Sequence, residues 1–409
     1  MECTRMSERE LTMDEAQRRI DAELQTLALR PTVRILGANV VSVLANLEDR
    51  HGNRVARGAG KGYLDQARLG ALYEALEHHW TDTPPGTDMD QVSARYFCET
   101  TLFSDDLTAR LFQKQSDTKV ACRTYTCPTR NISFSYPLVL TAPHHVQQAF
   151  EQDISNYYAL KRYSSNSGTA IGASYNEALL HAANECIERD AVSLFLLDHF
   201  YYENPKPLRC VARPDRHDPL GNLWADAERE IGGPIVLLDI STEFAARTFL
   251  AFSTSPGALV RVFGSGCSLD PRHGAWRALT ELVQLHHALT EPECQRDLAN
   301  AERHLQAFPR LLRCLRFNPH TLLHRSERHD VLLPESPVET SLQGQIAHLA
   351  EDLQQHGRTL GVTTLHQTEK GTTLVNVVIP GLERFYIVSS GNVVVPQARG
   401  RRLRQEADI

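Results

Sequence analysis

Apolar residues recur three and four positions apart in some stretches of this chain and run in short blocks in others, the signatures of helices and strands. Thr12 and Glu15 form a T-x-x-E capping box ahead of a helix whose apolar side holds Ile20, Leu24 and Leu27, and Pro31 stops it. Two strands follow, TVRILGAN and VVSVLANL, with a turn at His51-Gly52-Asn53. GAGKG then reads as a glycine-rich turn into the helix LDQARLGALYEALEHHW. Pro84-Pro85 and Pro128 mark loops, and YPLVLTAP reads as a strand. After a long helix beginning near Glu177 come the strands PIVLLDIST, TFLAFSTS and ALVRVFGSG and the helix GAWRALTELVQLHHAL. Helical segments surround Leu305 and Ile346, separated by a polar loop, HRSERHDVLLPESP. The chain closes on three β-like runs, TLVNVVIPG, RFYIVSSG and NVVVP. Interspersed strands and helices make the class α/β or mixed α+β.

Three of these helices carry polar stripes. In EALLHAANECIERDA, at 100° per residue, Glu177, His181, Asn184 and Glu188 fall within about 60° of arc, with Glu185 close by and Leu179, Leu180, Ala183 and Ile187 opposite. A solvated face would mix cations among the glutamates, yet Arg189 is the one cation between Glu177 and Ala191. The frame A-x-x-E-x-x-E recurs in ALYEALEHH, where Glu74 and Glu77 each stand 111 residues before Glu185 and Glu188. This repeat predicts a duplicated half. A third stripe holds Arg277, Glu281 and Gln284.

Composition narrows the function. The 409 residues carry a net charge of −7 and are 42% hydrophobic, as in a soluble globular protein. No run resembles a membrane span or signal peptide, so a cytoplasmic protein is expected, and no basic stripe interleaved with aromatics suggests nucleic acid. The nine cysteines are scattered without a CxxC pair and read as reduced thiols. Adjacent histidines at His78-His79, His144-His145 and His286-His287 chelate poorly from a helix. The basic run ARGRRLRQ, from Ala398 to Gln405, reads as a solvated tail.

Several glutamates gathered in one place raise one another's pKa unless cations sit among them. Magnesium suits such a site, because it takes oxygen ligands, keeps water and completes its shell with phosphates. Arg277 and Lys61 would neutralise phosphate charge. GAGKG lacks the spacing of a Walker loop, GSGCSL fails the dinucleotide pattern at its last position, and no GxSxG elbow occurs. The stripes therefore predict a magnesium-nucleotide site built from helix side chains.

Taken together, six motifs resemble the YcaO family of ATP-dependent enzymes that activate peptide backbone amides. They are GKG at 60–62, A-L-x-E-A-x-E at 71–77, S-N and G-x-A-x-G within 165–172, E-A…E-x-I-E-R-D-A at 177–191, G-x-G…R-A-L-T-E-x-x-Q at 264–284, and P-G-L-E at 380–383. The resemblance implies a YcaO-type fold with two pseudo-repeated halves, each carrying a glutamate-rich helix, around a shared ATP site. It assigns magnesium to Glu74, Glu77, Glu185 and Glu188, with Glu281 as a further ligand, and places Lys61, Ser165, Asn166, Glu177, Arg189, Arg277 and Gln284 around the nucleotide. Arg277 and Glu281 would stand nearest the reacting groups. The implied organisation is a capping helix over 1–31, a catalytic domain over 32–395 and a flexible basic tail over 396–409.

By the same resemblance, a nucleophile adds to a peptide carbonyl, the oxyanion takes the γ-phosphoryl of ATP, and phosphate departs with the former carbonyl oxygen. A Cys, Ser or Thr side chain as nucleophile gives a thiazoline or oxazoline in a precursor peptide, whereas an external sulfur donor gives a thioamide. A housekeeping member with another substrate and a non-catalytic nucleotide-binding scaffold are the other readings. The first 30 or so residues are too short for a winged-helix domain, so a separate leader-recognition or sulfur-delivery partner is expected, and a homodimer is compatible with the pattern. Two departures stand out: Ser167 interrupts the S-N-G run, and the chain ends without the P-x-P-x-P tail of many azoline-forming members.

Overall fold

The structure, a computed structural model, describes residues 8–81, 89–113, 118–143, 157–255, 262–335 and 341–407. Cys3, Pro84-Pro85, His144-His145 and much of ALVRVFGSG lie outside them. Helix α1 (Met13–Thr26) starts at the expected capping box and buries Ile20 and Leu24. Leu27, at the helix end, remains 38% exposed.

Strands β1 (Arg30–Leu36), β2 (Val41–Glu48) and β3 (Arg54–Gly62) form an antiparallel meander, and α2 (Leu64–Thr81) packs on it. GAGKG therefore lies inside a strand rather than a turn. The glycines serve the packing: a β-carbon on Gly60 would sit 1.8 Å from the Ala67 carbonyl oxygen of α2, so helix and strand touch backbone to backbone.

A second sheet combines β4 (Asp90–Ser93), β5 (Lys119–Thr126), β6 (Ser133–Pro137) and β7 (Thr169–Gly172) with two later strands. Only Tyr136 and Pro137 of YPLVLTAP are strand, because the short helix Leu138–Thr141 begins directly after Pro137. After β7 comes α3 (Tyr175–Leu196), whose N-cap Ser174 accepts from the Glu177 backbone N–H and whose last turn widens into a π-helix at Leu197–Tyr201.

The third sheet has the order β11-β10-β9-β8-β12, from β8 (Leu208–Val211), β9 (Ile235–Asp239), β10 (Arg247–Ser253), β11 (Gly264–Ser268) and β12 (Arg328–Val331). β12 falls within the stretch expected to be a polar loop. Helix α4 (Pro219–Ile231) precedes β9, and α5 (Pro271–Ala288) follows β11. A β-carbon on Gly264 would lie 2.2 Å from the Ala278 oxygen of α5, the same close approach seen between β3 and α2. Thus β9-β10-β11-α5 repeats the meander-plus-helix order of β1-β2-β3-α2, although the sequence frame had paired α2 with α3. Ser42 on β2, His287 on α5 and Glu230 on α4 join the units: Ser42 Oγ and His287 Nδ1 are 2.8 Å apart, and His287 Nε2 lies 3.2 Å from Glu230.

Helix α6 (Pro292–Leu305) comes after α5, and α7 (Leu342–Gln355) precedes the last strands, β13 (Gly361–Gln367) and β14 (Thr373–Val378), which complete the second sheet as β4-β5-β13-β14-β7. RFYIVSSG is a 3-10 helix at Phe385–Ser390, where buried Phe385 and Val388 share a face at three residues per turn. NVVVP forms no strand. The basic tail is not the solvated extension expected: it is helix α8 (Ala398–Ala407), anchored by Arg399, which is 9% exposed and forms a two-pronged pair with Asp190 of α3. Among the described residues, no helix is long and apolar enough to cross a membrane.

Candidate active site

Helices α2, α3 and α5 turn their polar stripes into one cavity of about 580 Å³. Lys61, Glu74, Glu77, Asn166, Glu177, Glu185, Glu188, Arg189, Arg277, Glu281 and Gln284 all line it. Ser165 stays outside the wall, its hydroxyl 3.0 Å from that of Ser167 and 2.8 Å from the Tyr386 hydroxyl.

Strand alternation explains how residues from different elements meet. Gly58 and Gly60 face α2, so Lys61, one step out of phase, points away and reaches Glu281 of α5 at 2.5 Å. Gly264 and Gly266 face α5 in the same manner, and Ser265 between them donates to Glu188 Oε1 at 2.7 Å. Each glycine-flanked strand therefore holds one helix tightly and ties a second helix through the intervening side chain.

The carboxylates divide into held and poorly compensated groups. Glu177 accepts from the backbone N–H groups of Glu10 at 2.7 Å and Ala173 at 3.3 Å, so it pins the N-terminal segment. Burial pushes Glu281 up, but Lys61, Arg189 and Arg277 outweigh it and hold the acid below its ordinary range. Burial, then Glu74 and Glu185, raise Glu77 well above that range, although the Ile171 N–H donates to it at 3.0 Å. Burial also raises Glu74 against the pull of His78 and Lys61, and it raises Glu185 against Arg189. The second oxygen of Glu188 is buried with no hydrogen-bond partner among the described residues.

Cations are placed between these groups. Arg189 lies 3.6 Å from Glu185 and 3.5 Å from Glu188, with its guanidinium over the Tyr386 ring. Arg277 Nη1 is 2.7 Å from His181 Nδ1, and its Nε has no partner among the described residues. Burial and the nearby Arg277 push His181 well below its ordinary value, so it is a neutral ring that accepts from the arginine.

The donor set fits magnesium with a polyphosphate. Seven carboxylates and four cations line the cavity, leaving the acids in excess. Among the described residues, no group of three His, Cys, Asp or Glu side chains forms a ready metal shell. Magnesium bound through one or two carboxylates, with water and phosphate oxygens completing its shell, needs none. One or two of Glu77, Glu185 and Glu188 could supply those carboxylates.

Several residues in the cavity or behind its wall carried no assignment from sequence. His181 sat visibly within the acidic arc of α3, so its periodicity was a usable signal. Glu8 gave none: it lies in a non-helical segment, accepts from Asn184 at 3.0 Å and Ser268 at 2.5 Å, and faces His273 at 3.5 Å. Trp276 lines the cavity with its indole N–H unpartnered among the described residues.

Comparison with known proteins places this cavity in context. The family model described as YcaO cyclodehydratase, ATP- and Mg2+-binding, matches residues 59–383. An uncharacterised protein in the tfuA 3′ region of Rhizobium leguminosarum bv. trifolii is 28% identical over 235 residues, 54% of this chain and 52% of that protein. An uncharacterised protein of Methanothermobacter thermautotrophicus is 27% identical over 246 residues, covering 59% of this chain and 60% of that protein. The matches thus span only about half to three fifths of these curated relatives. Among solved structures, YcaO from Methanopyrus kandleri bound with AMPPCP and Mg2+ aligns with a TM-score of 0.67 at 17% identity, over 96% of this chain and 97% of that one. A heterocyclase in complex with substrate and cofactor gives a TM-score of 0.66 at 16% identity, over 92% of this chain and 54% of that one. The Escherichia coli microcin synthetase McbBCD complex gives 0.56 at 15%, over 86% of each chain. With the family model matching most of its length, the chain belongs to the YcaO family.

Proposed function

We propose that this protein uses ATP and Mg2+ to activate a backbone amide of a precursor peptide, forming a thiazoline or oxazoline from Cys, Ser or Thr. The observation that carries this reading is the convergence of glutamates from α2, α3 and α5 on one cavity in which acids outnumber cations. Bound ATP would supply the phosphoryl group that turns the carbonyl oxygen into a leaving group, with Mg2+ neutralising phosphate charge. Glu77, Glu185 and Glu188 would hold the metal, with Glu74 in support. Lys61 and Arg277 would face phosphate oxygens, and the bonds to Glu281 and His181 aim them before ligand arrives. Arg189, stacked on Tyr386 between two glutamates, keeps α3 from repelling itself in the empty state.

The balance is simple. The side-chain thiol or hydroxyl would give up its proton as it bonds to the carbonyl carbon, the carbonyl oxygen would take the γ-phosphoryl, and that oxygen would leave as phosphate while the amide nitrogen gives up its own proton. The peptide loses the elements of water, and ADP and phosphate are released. A heterocyclase and the microcin synthetase complex among the structural neighbours support a peptide substrate and partner proteins. The test is mass spectrometry of a candidate precursor after incubation with protein, partner, ATP and Mg2+. Loss of one water supports azoline formation, exchange of oxygen for sulfur moves the assignment to thioamide formation, and an unmodified peptide despite nucleotide binding removes the enzymatic reading.

A further inference from the structure

A second cavity, of about 400 Å³, lies at the opposite end of α3 from Glu177, where the helix widens into the Leu197–Tyr201 π-turn. The short helices Pro309–Arg316 and Pro319–Arg325 form its other walls and contribute Arg313, Arg316 and Arg325. Two of these arginines share a single carboxylate: Arg313 Nη2 is 2.8 Å and Arg325 Nη1 2.7 Å from Glu203. Glu203 occupies the left-handed backbone region at φ 56°, unfavourable for a residue with a β-carbon, and its side chain is 37% exposed.

Two further polar groups in this wall are unsatisfied. Ser326, 9% exposed, has a buried hydroxyl without a hydrogen-bond partner among the described residues, as does His199 at Nδ1. Burial and the nearby Lys206 push His199 down to about 4, so the ring is neutral near pH 7 and available as a hydrogen-bonding group. Phe200 and Leu322 supply apolar surface beside these groups. The cavity therefore pairs arginines, whose one shared acceptor rests on an unfavourable backbone, with buried polar atoms and an apolar floor. A free phosphate would leave most of such a volume empty, whereas two or three residues of a peptide would fill it.

We infer that this cavity docks an acidic and apolar peptide segment, whose carboxylate replaces that of Glu203 between Arg313 and Arg325. Each guanidinium donates to one carboxylate oxygen whichever chain supplies it, so the exchange keeps both arginines paired, turns the Glu203 side chain to solvent and releases its backbone. The inference goes beyond the ATP reading and is tested without nucleotide or metal, so either can fail alone.

The experiment is fluorescence anisotropy of a labelled peptide of alternating Glu and Leu titrated with the whole protein. Saturable, salt-sensitive binding is expected. Arg325→Glu should weaken it about tenfold or more. Glu203→Gln, which removes the internal competitor, should tighten it, a change that misfolding does not produce. Equal binding of a Gln and Leu peptide, displacement of the probe by equimolar inorganic phosphate, or unchanged or weaker binding to the Glu203→Gln protein would overturn the inference.

Discussion

Helix α3 carries buried carboxylates toward two different neighbourhoods, and their fates differ. Toward α8, Asp190 is fully buried but receives both prongs of Arg399, at 2.8 and 2.9 Å, and the Glu383 N–H at 2.7 Å. Glu383 beside it accepts from the N–H groups of Arg384, Gln397 and Gly400 at 3.1, 2.8 and 2.9 Å. Burial raises Asp190 despite Arg399 just as it raises Glu185 despite Arg189, but toward the cavity one oxygen of Glu188 has no partner among the described residues. The first set is completed by the chain itself. The second is short of positive charge, and a divalent cation would supply it.

The largest effect expected from this contrast falls on the self-contained side. Arg399→Ala leaves Asp190 buried and unpaired, so urea unfolding should show a loss of about 3–5 kcal/mol that Mg2+ and ATP do not specifically reverse. On the cavity side, Glu188→Gln should abolish the thermal stabilisation by Mg2+ and ATP and reduce product formation on the order of a hundredfold, with ligand-free stability much less changed. Equal responses of both variants to nucleotide would erase the distinction.

A subtler separation comes from pH. Burial raises Glu74, Glu77 and Glu185 above the ordinary carboxylate value of about 4.5, so above that pH these groups hold more protons in the folded state than in the unfolded chain. The contribution of these three acids to ligand-free stability should therefore fall as pH rises beyond about 4.5, opposite in sign to that of His181, His199 and His273, which burial pushes down. Mg2+ and ATP should flatten the part owed to the cavity. A residual slope should persist up to about 7, because burial, together with Asp190, raises Glu383 to about 7 despite its backbone donors. Denaturation midpoints across this range, with and without ligand, check both parts. The smallest effect is expected for Ser165→Ala: with its hydroxyl bonded to Tyr386 outside the cavity wall, nucleotide-induced stabilisation should change by no more than about 0.5 kcal/mol.

Much of the cavity was legible because a helix converts spacing into direction. Glu74 and Glu77, Glu185 and Glu188, and Arg277, Glu281 and Gln284 declare a shared face by position alone, and the fold brings those faces to one cavity. What escaped were features fixed by tertiary partners. GAGKG reads as a turn because glycine is the usual turn residue, yet like GSGCS it lies in a strand whose one face is emptied of side chains so that a helix can lie on it. The basic tail looked solvated because nothing near it in sequence reveals that Asp190 needs Arg399. Glu8 and Ser165 sit in irregular segments without a period to read, and only the assembled chain shows that the first approaches the cavity wall and the second turns away.

The bare strands have a further consequence for how this protein can vary. Where Gly58, Gly60, Gly264 and Gly266 meet their helices, the separation of layers is set by backbone against backbone, with no interposed side chains to swell, shrink or repack. Two of the three cavity walls thus stand at a distance that no conservative exchange can adjust, because every other amino acid brings a β-carbon into occupied space. Sequence drift must enter elsewhere, in the loops and outer helices, where it can change what reaches the cavity while the spacing between its walls stays as it is.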